Sequence, residues 1–411
     1  MGAVPHMISV AEARARILAS CRPLPAETVA LTEALGRVLA EPVTARLTQP
    51  PFAAAMMDGW AVRAADLSGA SPESPVTLAR AGEAAAGHGF AGTVGPGQAV
   101  RIFTGAPLPA GADAVVMQED CAADSASVRI PVAPKPGKFV RPAGLDFREG
   151  EPVLLAGRRL TSRDVALAAA ANVPWLRVHR RPRVAVLATG DEVRLPGEPL
   201  GPGQIVSSNA FGLCALVTTQ GGIASNLGVA ADTPESLAAL AAGAEGADLL
   251  VTAGGASKGD YDHVRTVLGG GALEFDEVAM KPGKAVLFGR AGGVRLLGLP
   301  GNPVSAAVCA ILFLKPALAA LQGLAPDSRT HVARLASPLP ACDSRADFVR
   351  ATLAVSDTGE SVATPFPRQD SAMTSRLARA DALIVREPGA PPAEAGDRVA
   401  IIPLGDGCLN L

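Results

Sequence analysis

The chain has 411 residues, of which 48% are hydrophobic and 18% are charged, and its formal net charge is −2. This composition excludes an intrinsically disordered chain, and the length corresponds to about two to four domains of roughly 150 residues. No basic stripe is visible and aromatic residues make up only 3%, which argues against nucleic-acid binding. The longest apolar run, 306–314, is shorter than the roughly 20 residues that cross a bilayer, so we expect no membrane association.

The cysteines and the N-terminus bear on the cellular compartment. Six cysteines are spread along the chain without a CxxC pair. Three disulfides are one interpretation, but a chain of this length does not need them, and we expect buried reduced thiols. The N-terminus lacks the basic and apolar regions of a signal peptide. We therefore expect a cytoplasmic protein.

The first 180 residues predict a helical unit interrupted by a β-rich one. Ser9 begins a capping-box pattern for a first helix, a second helix is predicted over 32–39, and a third begins at Thr161. Between them, short β-like runs are separated by Gly and Pro. The simplest arrangement is a split helical domain (7–45 and 143–180) with a β-rich domain (46–142) inserted in it.

The second half alternates buried strands with helices. The continuous apolar runs 184–188, 249–252 and 296–299 are typical of strands buried on both faces. Helices are predicted over 209–219, from Thr233, and from 303 to 314. We therefore predict a multidomain α/β plus β protein, in which a doubly wound parallel sheet (181–325) precedes a small C-terminal β-barrel or sandwich (326–411).

Glycine-rich segments follow three of the predicted strands, at 189–192, 254–260 and 298–305. Glycine lets backbone N–H groups approach an anion closely, as phosphate-binding loops do. Neither GxGxxG nor GxxxxGK[ST] is present, which disfavours a standard dinucleotide or Walker site. Each segment alone could be a tight turn. Because the carboxyl ends of parallel strands lie at one edge of a sheet, the three together predict a shared anion pocket.

Lysine usage supports an anion site. Only six of the 37 basic residues are lysines, and three of them fall between 258 and 284. Lys281-Pro282-Gly283-Lys284 places two compact ammonium groups on a stiff turn, which suits an oxyanion. The alternative is a solvated turn.

Four carboxylates are candidates for catalysis or metal binding: Asp58, Glu192, Asp232 and Asp260. Carboxylates beside a bound phosphate commonly hold Mg²⁺, and Glu192 and Asp260, at strand ends, are the predicted metal ligands. Asp232 has an alternative structural role: it directly precedes a helix, and its negative charge would stabilise the partial positive charge at the N-terminus of that helix. His263 is expected to be a hydrogen-bonding partner and not a catalyst.

Taken together, these segments resemble the molybdopterin molybdenumtransferase family (MoeA, and the E domain of gephyrin), from Met7 to the C-terminus. The segments that carry the resemblance are MDGWAVR (57–63), TGA (104–106), TGDE (189–192), the glycine-rich segment 254–260, KPGK (281–284) and LPGNPVS (299–305). Their order and spacing make it specific. The resemblance implies a central domain of the MogA-like molybdopterin-binding fold.

The resemblance also implies a reaction, in which molybdate is inserted into adenylylated molybdopterin with Mg²⁺ as cofactor and AMP is released. It implies catalytic roles for Asp58, Glu192, Asp232, Asp260 and Lys281. It implies substrate contacts by Thr104, Gly254, Gly255, Ser257, Pro282, Lys284, Pro300, Pro303, Ser305, Arg350 and Ser371. Finally, it implies a homodimer in which the β-rich insert completes the cleft of the opposite subunit.

The sequence departs from the family pattern at three places. Ala53-Ala54-Ala55 stands where the family often has Asp-Asn-Ser or part of it, Asp370 where a glycine is usual, and Glu277 where some relatives carry a base. Two other functions remain open at this point. One is adenylyl transfer from ATP to molybdopterin, because the α/β segment alone resembles that enzyme too. The other is a non-catalytic scaffold of the gephyrin type. The flanking segments disfavour the first alternative, and the lack of fused interaction domains disfavours the second.

Overall fold

The computed structural model describes residues 7–255, 263–268, 270, 273–325 and 330–405. The chain begins with helix α1 (Val10–Ser20), followed by strands β1 (Ala26–Ala30) and β2 (Val43–Thr44). The Ser9 hydroxyl accepts the Glu12 N–H at 3.1 Å, so the predicted cap of α1 is confirmed.

The helix predicted over 32–39 is wrong. Only a 3₁₀ turn at Leu31–Glu33 forms there. The backbone N–H groups of Gly36 and Leu39 instead donate to carbonyls of a distant segment, those of Leu160 and Arg158. Gly36 also has a φ of +74°, outside the helical region. Long-range pairing therefore overrides the local helical pattern.

The β-rich insert contains eight short strands. They are β3 (Ala54–Ala55), β4 (Gly59–Val62), β5 (Val76–Ala84), β6 (Gln98–Ile102), β7 (Ala114–Met117), β8 (Ala122–Ala123), β9 (Ser127–Ile130) and β10 (Val140–Arg141). Six of them form one sheet in the order β7-β4-β6-β5-β9-β8. Strands β3 and β10 pair with each other outside that sheet.

The chain then returns to pair with its own beginning through β11 (Pro152–Leu154), α2 (Ser162–Ala170) and β12 (Trp175–His179). Strand β11 pairs with β2, and β12 pairs with β1. The helix predicted to begin at Thr161 is confirmed. Thr161 caps α2 in a capping box, since the Asp164 carboxylate accepts both the Thr161 N–H and its hydroxyl at 2.8 Å. Segments on either side of the insert thus share one hydrophobic core.

The central unit is a six-stranded sheet covered by helices on both faces. Its elements are β13 (Arg183–Thr189), β14 (Val193–Arg194), β15 (Ile205–Val206), α3 (Asn209–Thr219), β16 (Ile223–Ala230), α4 (Pro234–Ala241), β17 (Leu249–Ala253), β18 (Leu273–Phe275), β19 (Met280–Lys281), β20 (Leu287–Ala291), β21 (Val294–Leu299), α5 (Pro303–Cys309) and α6 (Lys315–Leu321). The sheet order is β16-β13-β17-β21-β20-β18, and the short strands β14 and β15 form a separate ribbon. The first four sheet strands are parallel, as predicted.

Two antiparallel strands complete one edge of this sheet, which the sequence analysis did not predict. Strand β20 joins β21 through Gly292-Gly293, both with positive φ, as a tight hairpin requires. The α1 residues Ala13 and Ile17 join the core on one face of the sheet. A separate core fills the other face.

The helix that starts at Pro303 is longer than predicted. It continues past Leu314 through a π-helical turn (Ala310–Leu314) and α6 to Leu321. Pro316 lies two residues after the end of the π turn, where the altered hydrogen-bonding pattern accommodates a residue without an N–H. By length and composition alone this 19-residue helix could cross a membrane, with a mean hydropathy of 2.1, but 78% of the apolar stretch is buried inside the protein, as expected of a core helix.

The C-terminal region is a closed five-stranded barrel. Its elements are β22 (His331–Leu335), β23 (Ala346–Val355), β24 (Ser361–Pro365), the short helix α7 (Thr374–Leu377), β25 (Ala382–Arg386) and β26 (Arg398–Pro403). Pairing of β23 with both β24 and β25 closes the ring. Strand β19 of the central unit pairs in parallel with β23, so the two units share a strand pairing. The domain boundaries given above stay a prediction.

Candidate functional site

A cavity of about 890 Å³ lies at the carboxyl ends of the parallel strands β13, β17 and β21. Its volume is in the range of small-molecule sites, roughly 300–1,000 Å³. The lining residues are 188–190, 192–193, 205–209, Asp232, 253–255, 283–285, 300–303, Ser305, Ala372 and Thr374. The structure therefore brings together parts of all three glycine-rich segments, the second lysine of the KPGK turn, and two of the candidate carboxylates.

Two glycines shape one wall of the cavity. Gly254 has a φ of +100°, and a Cβ added there would lie 2.8 Å from the Thr189 carbonyl oxygen. Gly255 has a φ of +61°, and its added Cβ would lie 2.6 Å from a Val264 methyl. Larger residues are excluded at both positions by backbone conformation and by space. This wall is consequently backbone, which a ligand can approach closely.

The acidic side of the cavity is held by two reciprocal hydrogen bonds. The Asp191 N–H donates to the Asp232 carboxylate at 3.3 Å, and the Asp232 N–H donates to the Asp191 carboxylate at 3.0 Å. Burial raises the pKa of Asp232, the Asp191 N–H lowers it, and the charges of Asp191 and Glu192 raise it further. His263, near Asp232, acts in the opposite direction and lowers this pKa. The site thus concentrates negative charge that a cation would relieve.

The lysines of the KPGK turn each have a carboxylate neighbour. Lys284 lines the cavity, and its Nζ lies 3.3 Å from a Glu277 oxygen. The Lys281 Nζ lies 3.8 Å from Asp347 Oδ2, and neither Lys281 nor Pro282 is among the described residues that line the cavity. Both ammonium groups are therefore partly neutralised, and only that of Lys284 belongs to a residue lining the cavity.

The C-terminal barrel contributes a loop to the cavity wall, through Ala372 and Thr374. Arg350 is 1% exposed; its Nη2 donates to the Asp370 carbonyl at 2.9 Å and its Nε to Gln369 Oε1 at 3.2 Å. Burial lowers the pKa of Arg350. The Ser371 carbonyl accepts the Val304 N–H at 3.0 Å. In this structure Arg350 holds the loop in place, and its oxyanion contact stays a prediction, as does that of Ser371.

Asp58 and Thr104 contact each other in the insert. The Thr104 N–H and hydroxyl both donate to Asp58 Oδ1 at 2.8 Å, and these bonds lower the pKa of Asp58. Neither residue is among the described residues that line the cavity of the same chain. The structure therefore supports a link between these two positions and leaves their contact with substrate a prediction.

The remaining predicted site residues fall into two groups. Pro300, Pro303 and Ser305 line the cavity, whereas Asp260 and Ser257 lie outside the described residues. Sequence reasoning missed Asp191, although it belongs to the TGDE segment, and Asn209, whose side chain donates to the Gly301 carbonyl at 2.7 Å beside the cavity. Thr189 was also missed; its buried hydroxyl has no hydrogen-bond partner among the described residues.

The donor set of the cavity fits Mg²⁺. Glu192 and Asp232 both line it, and carboxylate oxygens are what Mg²⁺ takes, usually one or two from protein together with substrate phosphates. No group of three or more His, Cys, Asp or Glu that could hold a metal occurs within the described part of the chain. The arrangement suits an ion that shares its coordination with a bound phosphate.

The cysteines form no metal or disulfide cluster in the described residues. Cys21, Cys121, Cys214, Cys309 and Cys342 are all free thiols. The expected burial holds for Cys21 and Cys309, whereas the other three are partly exposed. Burial raises the pKa of the Cys309 thiol, which makes it unreactive.

Comparison with known proteins extends over nearly the whole chain. Three family models match it: the MoeA N-terminal region (domain I and II) over residues 8–172, a probable molybdopterin binding domain over 185–320, and the MoeA C-terminal region (domain IV) over 332–404. Molybdopterin molybdenumtransferase 2 of Mycobacterium tuberculosis is 41% identical over 348 residues, covering 82% of this chain and 85% of that protein. The molybdopterin molybdenumtransferase of Haemophilus influenzae is 34% identical over 404 residues, covering 97% and 98%.

A solved structure agrees in fold along the same length. The molybdopterin biosynthesis MoeA protein of Pyrococcus horikoshii superposes with a TM-score of 0.84 at 31% identity, covering 97% of this chain and 99% of that chain. Identity, coverage and fold all lead to the same conclusion. The chain belongs to the molybdopterin molybdenumtransferase (MoeA) family, a family of transferases.

Proposed function

We propose that this protein inserts molybdate into adenylylated molybdopterin and releases AMP, as a cytoplasmic, Mg²⁺-dependent homodimer. The observation that carries the proposal is the cavity of about 890 Å³ where the glycine-rich segments, Lys284 and two carboxylates converge. The names of the relatives, molybdopterin molybdenumtransferases, support the same reaction.

The cavity has the chemistry that a phosphorylated ligand requires. Gly254 and Gly255 allow close approach to backbone, and Lys284 adds a positive charge. Helices α3 and α5 both begin at the cavity, with Asn209 and Pro303 among its lining residues. Helix N-termini carry partial positive charge and favour anions. These features together favour the pyrophosphate of an adenylylated substrate.

Glu192 and Asp232 would hold the divalent ion, with Asp260 as the further ligand predicted from sequence. When bound, the ion supplies charge neutralisation and polarisation of a phosphoryl oxygen. The Asp191–Asp232 hydrogen bonds orient the carboxylate of Asp232 within the wall, so its position does not depend on the ion. Lys281, at the junction with the barrel, is the proposed contact for the tetrahedral oxyanion.

The test is AMP release from adenylylated molybdopterin with molybdate and Mg²⁺. Lys281→Ala should reduce release about 100-fold or more, because a charge that stabilises the reacting oxyanion is lost. Lys135→Ala, an exposed lysine of the insert, is the matched control and should behave as wild type. Normal release by Lys281→Ala, with its fold intact by circular dichroism, would remove Lys281 from the site. Consumption of ATP with molybdopterin would instead favour adenylyl transfer, and peptide binding without molybdenum insertion would favour a scaffold.

The homodimer has its own test. Asp58 and Thr104 are not among the described residues that line the cavity of their own chain. Phe52, Met56 and Met57, which precede Asp58 in the sequence, are 43%, 41% and 37% exposed. We propose that this surface meets the cavity of a second copy. Asp58→Ala and Lys281→Ala should each be inactive alone. Co-expression should restore about a quarter of wild-type activity, because half of the dimers then hold one intact site. Absence of any restoration in verified mixed dimers would place both residues in one subunit's site.

A further inference from the structure

The junction between β19 and the barrel holds an ion pair between Lys281, the proposed oxyanion contact, and Asp347, to which the proposed function gives no role. Lys281 of β19 stands opposite Asp347 of β23 in the parallel register, and the Nζ–Oδ2 distance is 3.8 Å. The side chain of Asp347 is 25% exposed and that of Lys281 is 56% exposed. The carboxylate therefore belongs to a packed strand, while the ammonium group faces solvent.

Lys281 is the cation that acts most strongly on Asp347. Burial raises the pKa of Asp347, Lys281 lowers it, and Arg345 lowers it less than Lys281 does. Arg345 is engaged by another carboxylate, since it donates from Nη2 to Asp343 Oδ2 at 2.6 Å and from Nε to both Asp343 oxygens. Among the described residues, Asp347 forms no ion pair other than that with Lys281. At 3.8 Å this pair is longer than a hydrogen bond, so Asp347 acts on Lys281 through its charge and does not lock its rotamer.

We infer that Asp347 limits the affinity of Lys281 for tetrahedral oxyanions, because its carboxylate competes with free oxyanions for the Lys281 ammonium group. The inference rests on the proposed role of Lys281 in oxyanion binding. An anion that approaches Lys281 also approaches the fixed negative charge of Asp347 and is repelled by it. The competition weakens binding of all free oxyanions, sulfate and phosphate included, and so keeps the junction from being filled by abundant anions.

The experiment measures dissociation constants of molybdate and sulfate by isothermal titration calorimetry, on the full chain without pterin. Asp347→Asn should tighten both about fivefold at low ionic strength, the size expected for one charge near 4 Å in a largely aqueous setting. The gain should shrink in 1 M NaCl, where the screening length is about 3 Å. Asp357→Asn, an exposed carboxylate in the turn after β23, is the matched control and should change neither constant.

A second background isolates the competition. In the Lys281→Gln background, Asp347→Asn should give less than about half of the affinity gain seen in the wild-type background, because the ammonium group for which Asp347 competes is absent. Asp347→Ala controls for hydrogen bonding of the oxyanion by the new asparagine amide, and it should give the same gain in oxyanion affinity as Asp347→Asn. Three results overturn the inference. Asp347→Asn leaves the oxyanion affinity unchanged, or it gives an equal gain in the Lys281→Gln background. The third result is weaker oxyanion binding by Asp347→Asn, which would mean that Asp347 supports Lys281. If the wild-type protein fails to release AMP, the proposed function fails, and the oxyanion affinities still decide whether Asp347 competes for Lys281. If AMP release is normal and Asp347→Asn leaves the oxyanion affinities unchanged, only the inference about Asp347 fails.

Discussion

Substitution of Gly283 tests whether the KPGK turn owes its shape to contact with helix α5. Gly283 has a φ of +107°, and a Cβ added there would overlap the Cys309 sulfur and approach the Ser305 carbonyl oxygen to 3.5 Å. Gly36 provides a matched control, because it also has a positive φ, +74°, and nothing lies within 4 Å of its added Cβ. The two sites therefore separate backbone strain from steric overlap.

The magnitude follows from these two contributions. Strain at positive φ costs about 1–2 kcal/mol and should be the whole effect of Gly36→Ala. Gly283, at a φ of +107°, lies outside the left-handed α region, so its strain should be about 1–3 kcal/mol. Overpacking adds about 1–3 kcal/mol, so the total for Gly283→Ala is about 2–6 kcal/mol. Urea denaturation followed by circular dichroism measures both changes in the free energy of unfolding. AMP release should also fall for Gly283→Ala alone, because the turn carries Lys281 and Lys284.

A double-mutant cycle with Cys309→Ala decides the cause. Removal of the sulfur should recover most of the overpacking and leave the strain, so Gly283→Ala should cost about 1–3 kcal/mol in that background. The reasoning is refuted if Gly283→Ala costs no more than Gly36→Ala. It is also refuted if the cost is the same with and without the Cys309 sulfur.

Two further predictions concern carboxylates. The Asp248 carboxylate accepts hydrogen bonds from both terminal nitrogens of Arg180, at 2.7 and 2.6 Å, and from the Arg183 N–H at 2.8 Å. Asp248→Ala should therefore lower the free energy of unfolding, measured by urea denaturation, by about 2 kcal/mol. A loss below about 0.5 kcal/mol would show that these hydrogen bonds add little to stability. Because burial raises the pKa of Asp232 above 3.8, the folded state binds its proton more tightly, and the contribution of Asp232 to stability falls as pH rises from 3.8 through the raised value. Asp232→Asn should flatten the pH dependence of the unfolding free energy in that window and be the more stable protein above it, and an unchanged pH profile would contradict the raised pKa.

Elements with a local signal could be predicted from the sequence. The caps at Ser9 and Thr161 depend on residues three positions apart, and both form as expected. The buried strands of the central sheet are runs of apolar residues, and their parallel order follows from the helices between them. The convergence of the glycine-rich segments follows from that order as well, because parallel strands end at one edge.

Features that depend on distant residues came only from the tertiary structure. The segment 32–39 carries a helical pattern, yet the N–H groups of Gly36 and Leu39 pair with the segment near residue 160, and no local signal predicts such a partner. The guanidinium of Arg350 donates to the Asp370 carbonyl of the loop. Lys281 lies opposite Asp347 because β19 of the central unit pairs with β23 of the barrel. Sequence thus determined which side chains and glycines are available at the ends of the strands. The tertiary structure decided which of those charges are already paired, because an ion pair is set by the distance between segments and not by their separation along the chain.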